Sequence, residues 1–158
     1  MVVKKSEDQI GSLLLSRNWR LVTAESCTAG LIASTITDVS GSSAYFDRSY
    51  VTYSNEAKMQ MLGIPEEILL TEGAVSESCA RLMAEGALSV SGVEVALSVT
   101  GIAGPTGGSA LKPVGTVFMA VSSLSSTSCH LHNFTGSRSE IKNKTVQTAL
   151  EMLLKFLN

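Results

Sequence analysis

The chain has 158 residues and a mass of 16.6 kDa, enough for one compact domain with its own core and too short for two ordinary ones. Apolar residues make up 44% and charged residues only 16%, which excludes an intrinsically disordered chain. Formal net charge is −2 and no block of like charge occurs, so binding to nucleic acid or to a membrane surface by electrostatic attraction is not expected.

No apolar run approaches the roughly 18 residues needed to span a bilayer. The first residues, Met1-Val2-Val3-Lys4-Lys5-Ser6-Glu7, turn charged at once and carry no signal-peptide core. Cys27, Cys79 and Cys129 are odd in number and widely spaced, which is neither a disulfide framework nor a metal pattern. The expectation is a cytoplasmic protein with reduced thiols and no bound metal. Both histidines, His130 and His132, fall late in the chain. They alternate on one strand face and read as a half-exposed edge pair, because no carboxylate or cysteine cluster supports a metal there.

In chain order, Ser6-Glu7-Asp8-Gln9 fits a capping box, and Ile10, Leu13 and Leu14 follow at helical spacing, predicting a helix from about Ser6 to Asn18. Arg20 to Ala24 reads as a short strand and Ser26 to Thr37 as a helix, followed by a turn at Gly41-Ser42-Ser43. Tyr45 to Tyr53 is aromatic and β-branched and reads as a strand. Ser54 can cap a helix to Leu62 that Gly63 and Pro65 end. A short helical segment, Glu66 to Leu70, leads to Gly73; Ser76 caps the next helix, which Gly92 stops. Val93 to Thr100 reads as a buried strand, Gly101 to Pro113 as a long glycine-rich loop, and Val114 to Ser122 with Ser128 to Phe134 as a hairpin. Ser137 and Glu140 form another capping box for a last helix to about Leu157. The pattern predicts a single α/β domain over residues 1–158, a three-layer α/β/α unit around a mixed, largely parallel sheet.

Four segments carry candidate chemistry. Thr23-Ala24-Glu25-Ser26-Cys27-Thr28-Ala29-Gly30 sits where a strand gives way to a helix, the usual ligand position in an open α/β sheet. Ser26 there is either a helix cap or an exposed nucleophile. Cys27 is its rival, because a thiol is intrinsically the stronger nucleophile. Tyr53-Ser54-Asn55-Glu56-Ala57-Lys58 places Lys58 about one turn inside a helix, the end that disfavours a cation. Lys58 is either solvated and paired with an acid or a base with a lowered pKa. The second role needs burial, since a drop of about 3 units costs about 4 kcal/mol, more than a helix dipole supplies. Ser98 to Ser109 offers glycine amides at a strand end, yet it matches neither a P-loop nor a Gly-x-Gly-x-x-Gly motif. Arg138, in Gly136-Ser137-Arg138-Ser139-Glu140, is either a surface arginine or an anion ligand at a helix start.

Taken together these segments resemble the CinA C-terminal domain family, whose stand-alone members are nicotinamide-nucleotide amidases. The resemblance rests on Thr23 to Thr28, Gly41-Ser42-Ser43, Val51 to Lys58, Gly73-Ala74-Val75-Ser76, Gly101-Ile102-Ala103-Gly104-Pro105 and Lys112 to Val117. It implies hydrolysis of nicotinamide mononucleotide to nicotinic acid mononucleotide and ammonia, within pyridine-nucleotide recycling, without metal or cofactor. It further implies Ser26 as nucleophile, Lys58 as general base and Tyr53 as a third member of the catalytic set. Cys27, Thr28, Ser43, Asn55, Thr100 and Gly101 would surround the reacting group. Ala103, Gly104, Gly107, Gly108, Arg138 and Lys142 would hold ribose and phosphate. Homo-oligomers are common in the family. Ala29 stands where the family often has glycine, Ser137 where it has aspartate, and Lys142 where arginine is common. These departures leave a second reading: a non-catalytic, nucleotide-binding module related to competence or DNA damage.

Overall fold

A computed structural model describes residues 5–158. The reading of the extreme N-terminus as free of a signal-peptide core falls partly on residues 1–4, outside the described residues. The chain forms α1 (Ser6–Arg17), β1 (Leu21–Glu25), α2 (Leu31–Thr37), β2 (Phe46–Val51), α3 (Asn55–Leu62) and α4 (Glu66–Thr71), followed by α5 (Glu77–Ser91), β3 (Val95–Gly101), β4 (Thr116–Ser123), β5 (Thr127–Asn133) and α6 (Arg138–Leu157). A short 3-10 turn at Ser42–Ala44 precedes β2.

The five strands lie in the order β2-β1-β3-β4-β5. β2, β1 and β3 pair in parallel, while β4 runs against both β3 and β5. Every strand except β4 therefore points the same way, so the expected mixed, largely parallel sheet is present. Its two faces bury separate cores. Leu21, Leu97, Val99, Met119 and Val121 pack against α1, α2 and α6 on one side. Val22, Ala24, Ala96 and Ala120 pack against α5 on the other. All five residues of β1 are buried, as a central strand covered on both faces requires.

The helix signals held where the cap is local. Ser54 accepts from the Ala57 amide, Ser76 from the Cys79 amide, and Ser137 and Glu140 form a complete capping box. Two expectations fail. No side-chain cap bond is made at the start of α1, where Lys5 is the cap residue and Ser6 is already helical. α2 begins at Leu31, not at Ser26, because Ala29 and Gly30 take left-handed conformations (φ 49° and 95°) that hold the preceding residues in a turn. An alanine there costs about 1–2 kcal/mol that a glycine would avoid. β5 is an edge strand, with His130 exposed and His132 half-buried on it. Among the described residues, no helix is long and apolar enough to cross a membrane.

The order β2-β1-β3 makes the chain leave β1 to one side and return across it to the other. The carboxyl ends of β1 and β3 flank the resulting switch point, where open α/β sheets form their crevices. α3 is brought to this crevice by α5. Gly86 of α5 meets the Leu62 carbonyl so closely that an added Cβ would lie 2.3 Å from that oxygen. Gly86→Ala should therefore lose about 1–3 kcal/mol by overpacking, whereas a glycine-to-alanine change in an open helix gains about 0.5–1 kcal/mol. Urea unfolding measures the sign, and a stabilised variant contradicts the close α3–α5 contact.

Candidate active site

Ser26 follows directly on β1, with its amide donating to Val99 O at 3.1 Å. It thus stands at the carboxyl edge of the sheet between β1 and β3. Lys58 reaches the same point from the first turns of α3. Its Nζ lies 3.0 Å from Ser26 Oγ and donates to Thr52 O at 2.8 Å and, more weakly, to Tyr53 O at 3.4 Å. Ser26 is 8% exposed and Lys58 only 1%. No carboxylate pairs with Lys58 among the described residues. Burial pushes its pKa below the ordinary lysine range, against weaker opposing influences from Cys79 and Cys27. The solvated-lysine alternative is thereby removed.

The other rival also weakens. Burial pushes the Cys27 thiol up to about 11, so at neutral pH it is protonated and a poor nucleophile. Ser26 does not cap α2, whose cap residue Gly30 offers no side chain. The capping acceptor is Glu25. Its Oε1 accepts from the Ile32 amide at 2.9 Å and Thr28 Oγ1 at 2.6 Å, and its Oε2 accepts from the Ala33 amide at 3.0 Å. Sequence reasoning assigned Glu25 no role. Its one signal was an acidic residue just ahead of a helix.

A cleft of about 280 Å³ opens above the pair, near the small end of ordinary ligand pockets of about 300–1,000 Å³. Of the sequence-predicted residues, Ser26, Cys27, Tyr53, Lys58, Thr100 and Gly101 line it, as do Ala103, Gly104, Gly107 and Arg138. Arg138 crosses its mouth, donating to Gly104 O at 2.7 Å and to the Tyr53 hydroxyl at 3.1 Å. Thr100 Oγ1 donates to Ala74 O at 2.7 Å, holding the Gly73–Ser76 segment against the cleft. No backbone oxygen accepts from the amides of Cys27 and Thr28 among the described residues.

Five expected residues stand elsewhere. Thr28 is buried beneath the turn on Glu25. Asn55 is exposed on the first turn of α3 and does not line the cleft. Gly108 backs onto the Val114 backbone, where a Cβ would come within 2.7 Å of Val114 N. Lys142 lines a neighbouring cavity of about 410 Å³ with Leu31, Arg138, Ser139 and Asn143. Ser43 precedes β2, next to the strand's starting edge, while Ser26 follows the finishing edge of the parallel neighbour β1. A single chain therefore keeps Ser43 a full strand length from the cleft. Residues not anticipated include Thr52, whose carbonyl anchors Lys58, and Val75, Ile102 and Thr106 in the lining.

Comparison with known proteins agrees in fold. A family model described as CinA C-terminal domain matches residues 3–157. A CinA-like protein of Syntrophobacter fumaroxidans is 50% identical over 151 residues, covering 96% of this chain and 36% of the relative. A putative competence-damage inducible protein of Caldicellulosiruptor bescii is 48% identical over 149 residues, covering 94% and 36%. The chain thus spans little more than a third of these curated relatives' length. Among solved structures, the competence/damage inducible protein from Agrobacterium tumefaciens superposes with a TM-score of 0.91 at 43% identity, covering 100% of this chain and 99% of that one. A CinA superfamily protein from Klebsiella pneumoniae superposes with a TM-score of 0.92 at 33% identity, covering 98% of each chain.

The burial of Lys58 has a consequence that needs no substrate. Between its depressed folded pKa and the unfolded value of about 10.4, the unfolded chain binds one more proton than the folded one, so stability rises with pH by up to about 1.4 kcal/mol per unit. In Lys58→Met this contribution vanishes. Unfolding curves across that alkaline window should show wild type gaining on the variant as pH rises. A constant difference between the two contradicts a depressed Lys58.

Proposed function

Because the chain belongs to the CinA C-terminal domain family, we propose that it is an amidohydrolase that converts nicotinamide mononucleotide to nicotinic acid mononucleotide and ammonia. The observation that carries this reading is the 3.0 Å approach of Lys58 Nζ to Ser26 Oγ in a nearly dry site. A neutral amine has two N–H donors and one lone pair. The carbonyls of Thr52 and Tyr53 supply two acceptors, which leaves the lone pair for the Ser26 hydroxyl. Lys58 is then a general base held in register.

The reaction follows in two halves. Lys58 takes the hydroxyl proton as Ser26 Oγ attacks the carboxamide carbon. The oxyanion forms beside the turn after Ser26, where no backbone oxygen accepts from the Cys27 and Thr28 amides among the described residues. Val95 N donates to Arg20 O, and alternation along β3 directs the Gly101 amide to the same side. Each well-placed donor is worth about 3–4 kcal/mol. The Lys58 ammonium protonates the departing nitrogen, and ammonia leaves an acyl-serine. Water then attacks that ester, giving its proton to Lys58. Collapse of the second tetrahedral species returns a proton to Ser26 Oγ and frees the carboxylic acid.

The cleft accepts the pyridine ring between Tyr53 and the Thr100–Gly104 segment. The phosphate extends toward Arg138, with Lys142 in the adjoining cavity. Binding there exchanges an Arg138 contact to neutral oxygens for one to an anion.

Incubation with nicotinamide mononucleotide should release ammonia. Ser26→Ala and Lys58→Ala should lower kcat by about 10²–10⁴-fold or more while nucleotide binding persists. Activity should climb with pH through an inflection below the free-lysine value of about 10.4. Nucleotide binding without ammonia release by wild type favours the non-catalytic module, and full turnover in Ser26→Ala moves the nucleophile to Cys27.

A further inference from the structure

Resting on the amidase reading, we infer that Glu25 is a positioning residue for the nucleophile: its buried carboxylate ties down the turn that carries Ser26 and leaves the amides after Ser26 for the oxyanion. Glu25 has no solvent exposure. Its close contacts are all with donors. Thr28 Oγ1, Ile32 N and Ala33 N bind at 2.6–3.0 Å. Ser49 Oγ stands at 3.3 Å and itself accepts from Thr23 Oγ1 at 2.7 Å. An ionised carboxylate, which only accepts, fits this set; an amide, with its two donors, does not.

The tie is needed because the turn is strained. Ala29 and Gly30 hold left-handed conformations, and an alanine there favours another shape by about 1–2 kcal/mol. Ordinarily a serine beside the helix would bond its first amides. Here Glu25, one residue before the nucleophile, takes the amides of Ile32 and Ala33. Ser26 Oγ is thereby released to face Lys58, and the Cys27 and Thr28 amides stay without backbone acceptors among the described residues. The backbone of Glu25 adds a second restraint: its carbonyl accepts from Thr52 N at 3.0 Å, and Thr52 O in turn holds Lys58 Nζ. One residue therefore sets the separation of both members of the pair.

The test compares purified wild type with Glu25→Gln, Thr28→Val and Ile36→Val. Ile36 is buried on the core face of the same helix and makes no bond to Glu25, so Ile36→Val serves as the stability control. Turnover of nicotinamide mononucleotide is read alongside labelling of Ser26 by an alkyl phosphonofluoridate. A misplaced nucleophile should cost Glu25→Gln about 10²-fold in kcat, leave KM within about threefold, and slow labelling in parallel. Thr28→Val should move both rates in the same direction by less, and Ile36→Val should move neither. Wild-type kcat and labelling in folded Glu25→Gln overturn the inference, as does an equal loss in Ile36→Val. If Glu25→Gln does not fold, unchanged rates in Thr28→Val overturn it. If wild type releases no ammonia but is labelled, the amidase reading fails and the labelling rates alone decide the role of Glu25. A wild type neither turning over nor labelled overturns both.

Discussion

A primary amine almost out of contact with water, 3.0 Å from a serine hydroxyl, is the feature on which the rest of this structure turns. Burying an ammonium without a carboxylate is unfavourable by several kcal/mol, so the fold carries Lys58 there at a cost in stability. That cost has a use only if the neutral amine does something. On the proposed amidase reading that task is proton transfer from Ser26, with two backbone carbonyls for the amine's hydrogens and one hydroxyl for its lone pair.

Three remote constraints hold the geometry. Gly86 lets α3 press against α5, which sets the depth of Lys58. The parallel pairing of β1 with β2 puts Glu25 beside Val51 and hence Ser26 beside the Thr52 carbonyl. Arg138, from the start of α6, ties the Gly104 loop to Tyr53 over the cleft. Residues from separate stretches of the chain, at the ends of β1, β2 and β3 and at the starts of α3 and α6, thus converge where the topology reverses. Ser137 and Lys142, two of the departures from the family pattern, lie outside the lining of the cleft. Ser137 keeps the helix cap intact.

Much of the fold was legible because its signals are local. Ser54, Ser76 and the Ser137–Glu140 box announce helices through bonds to amides three residues away, and Gly63 and Gly92 end two of them in left-handed conformations. The start of α2 was not legible, since its cap comes from a strand residue seven positions back. Ser6 shows the converse: a capping box in sequence forms only if the preceding backbone places serine outside the helix. For the site, Ser26 and Lys58 stood out as a serine at a strand end and a lysine at the wrong end of a helix. Nothing local revealed that Lys58 points inward, because α3 is short and what surrounds Lys58 comes from α5, the turn after β1 and the link after β2. Ser43 and Asn55 came from motif matching, which does not distinguish a residue that touches a ligand from one that shapes a turn, and Gly108 came with the glycine-rich loop, whose packing on Val114 is a tertiary contact.

The charge state of one nitrogen tests the account most directly. Selective labelling of lysine side chains allows Lys58 to be followed through its Cε and Nζ chemical shifts as pH rises, with Lys58→Met identifying its signal. The account predicts that Lys58 loses its proton below the free-lysine value of about 10.4, apart from the solvent-facing lysines, in protein free of ligand. An ammonium that persists at Lys58 to or beyond that value contradicts it.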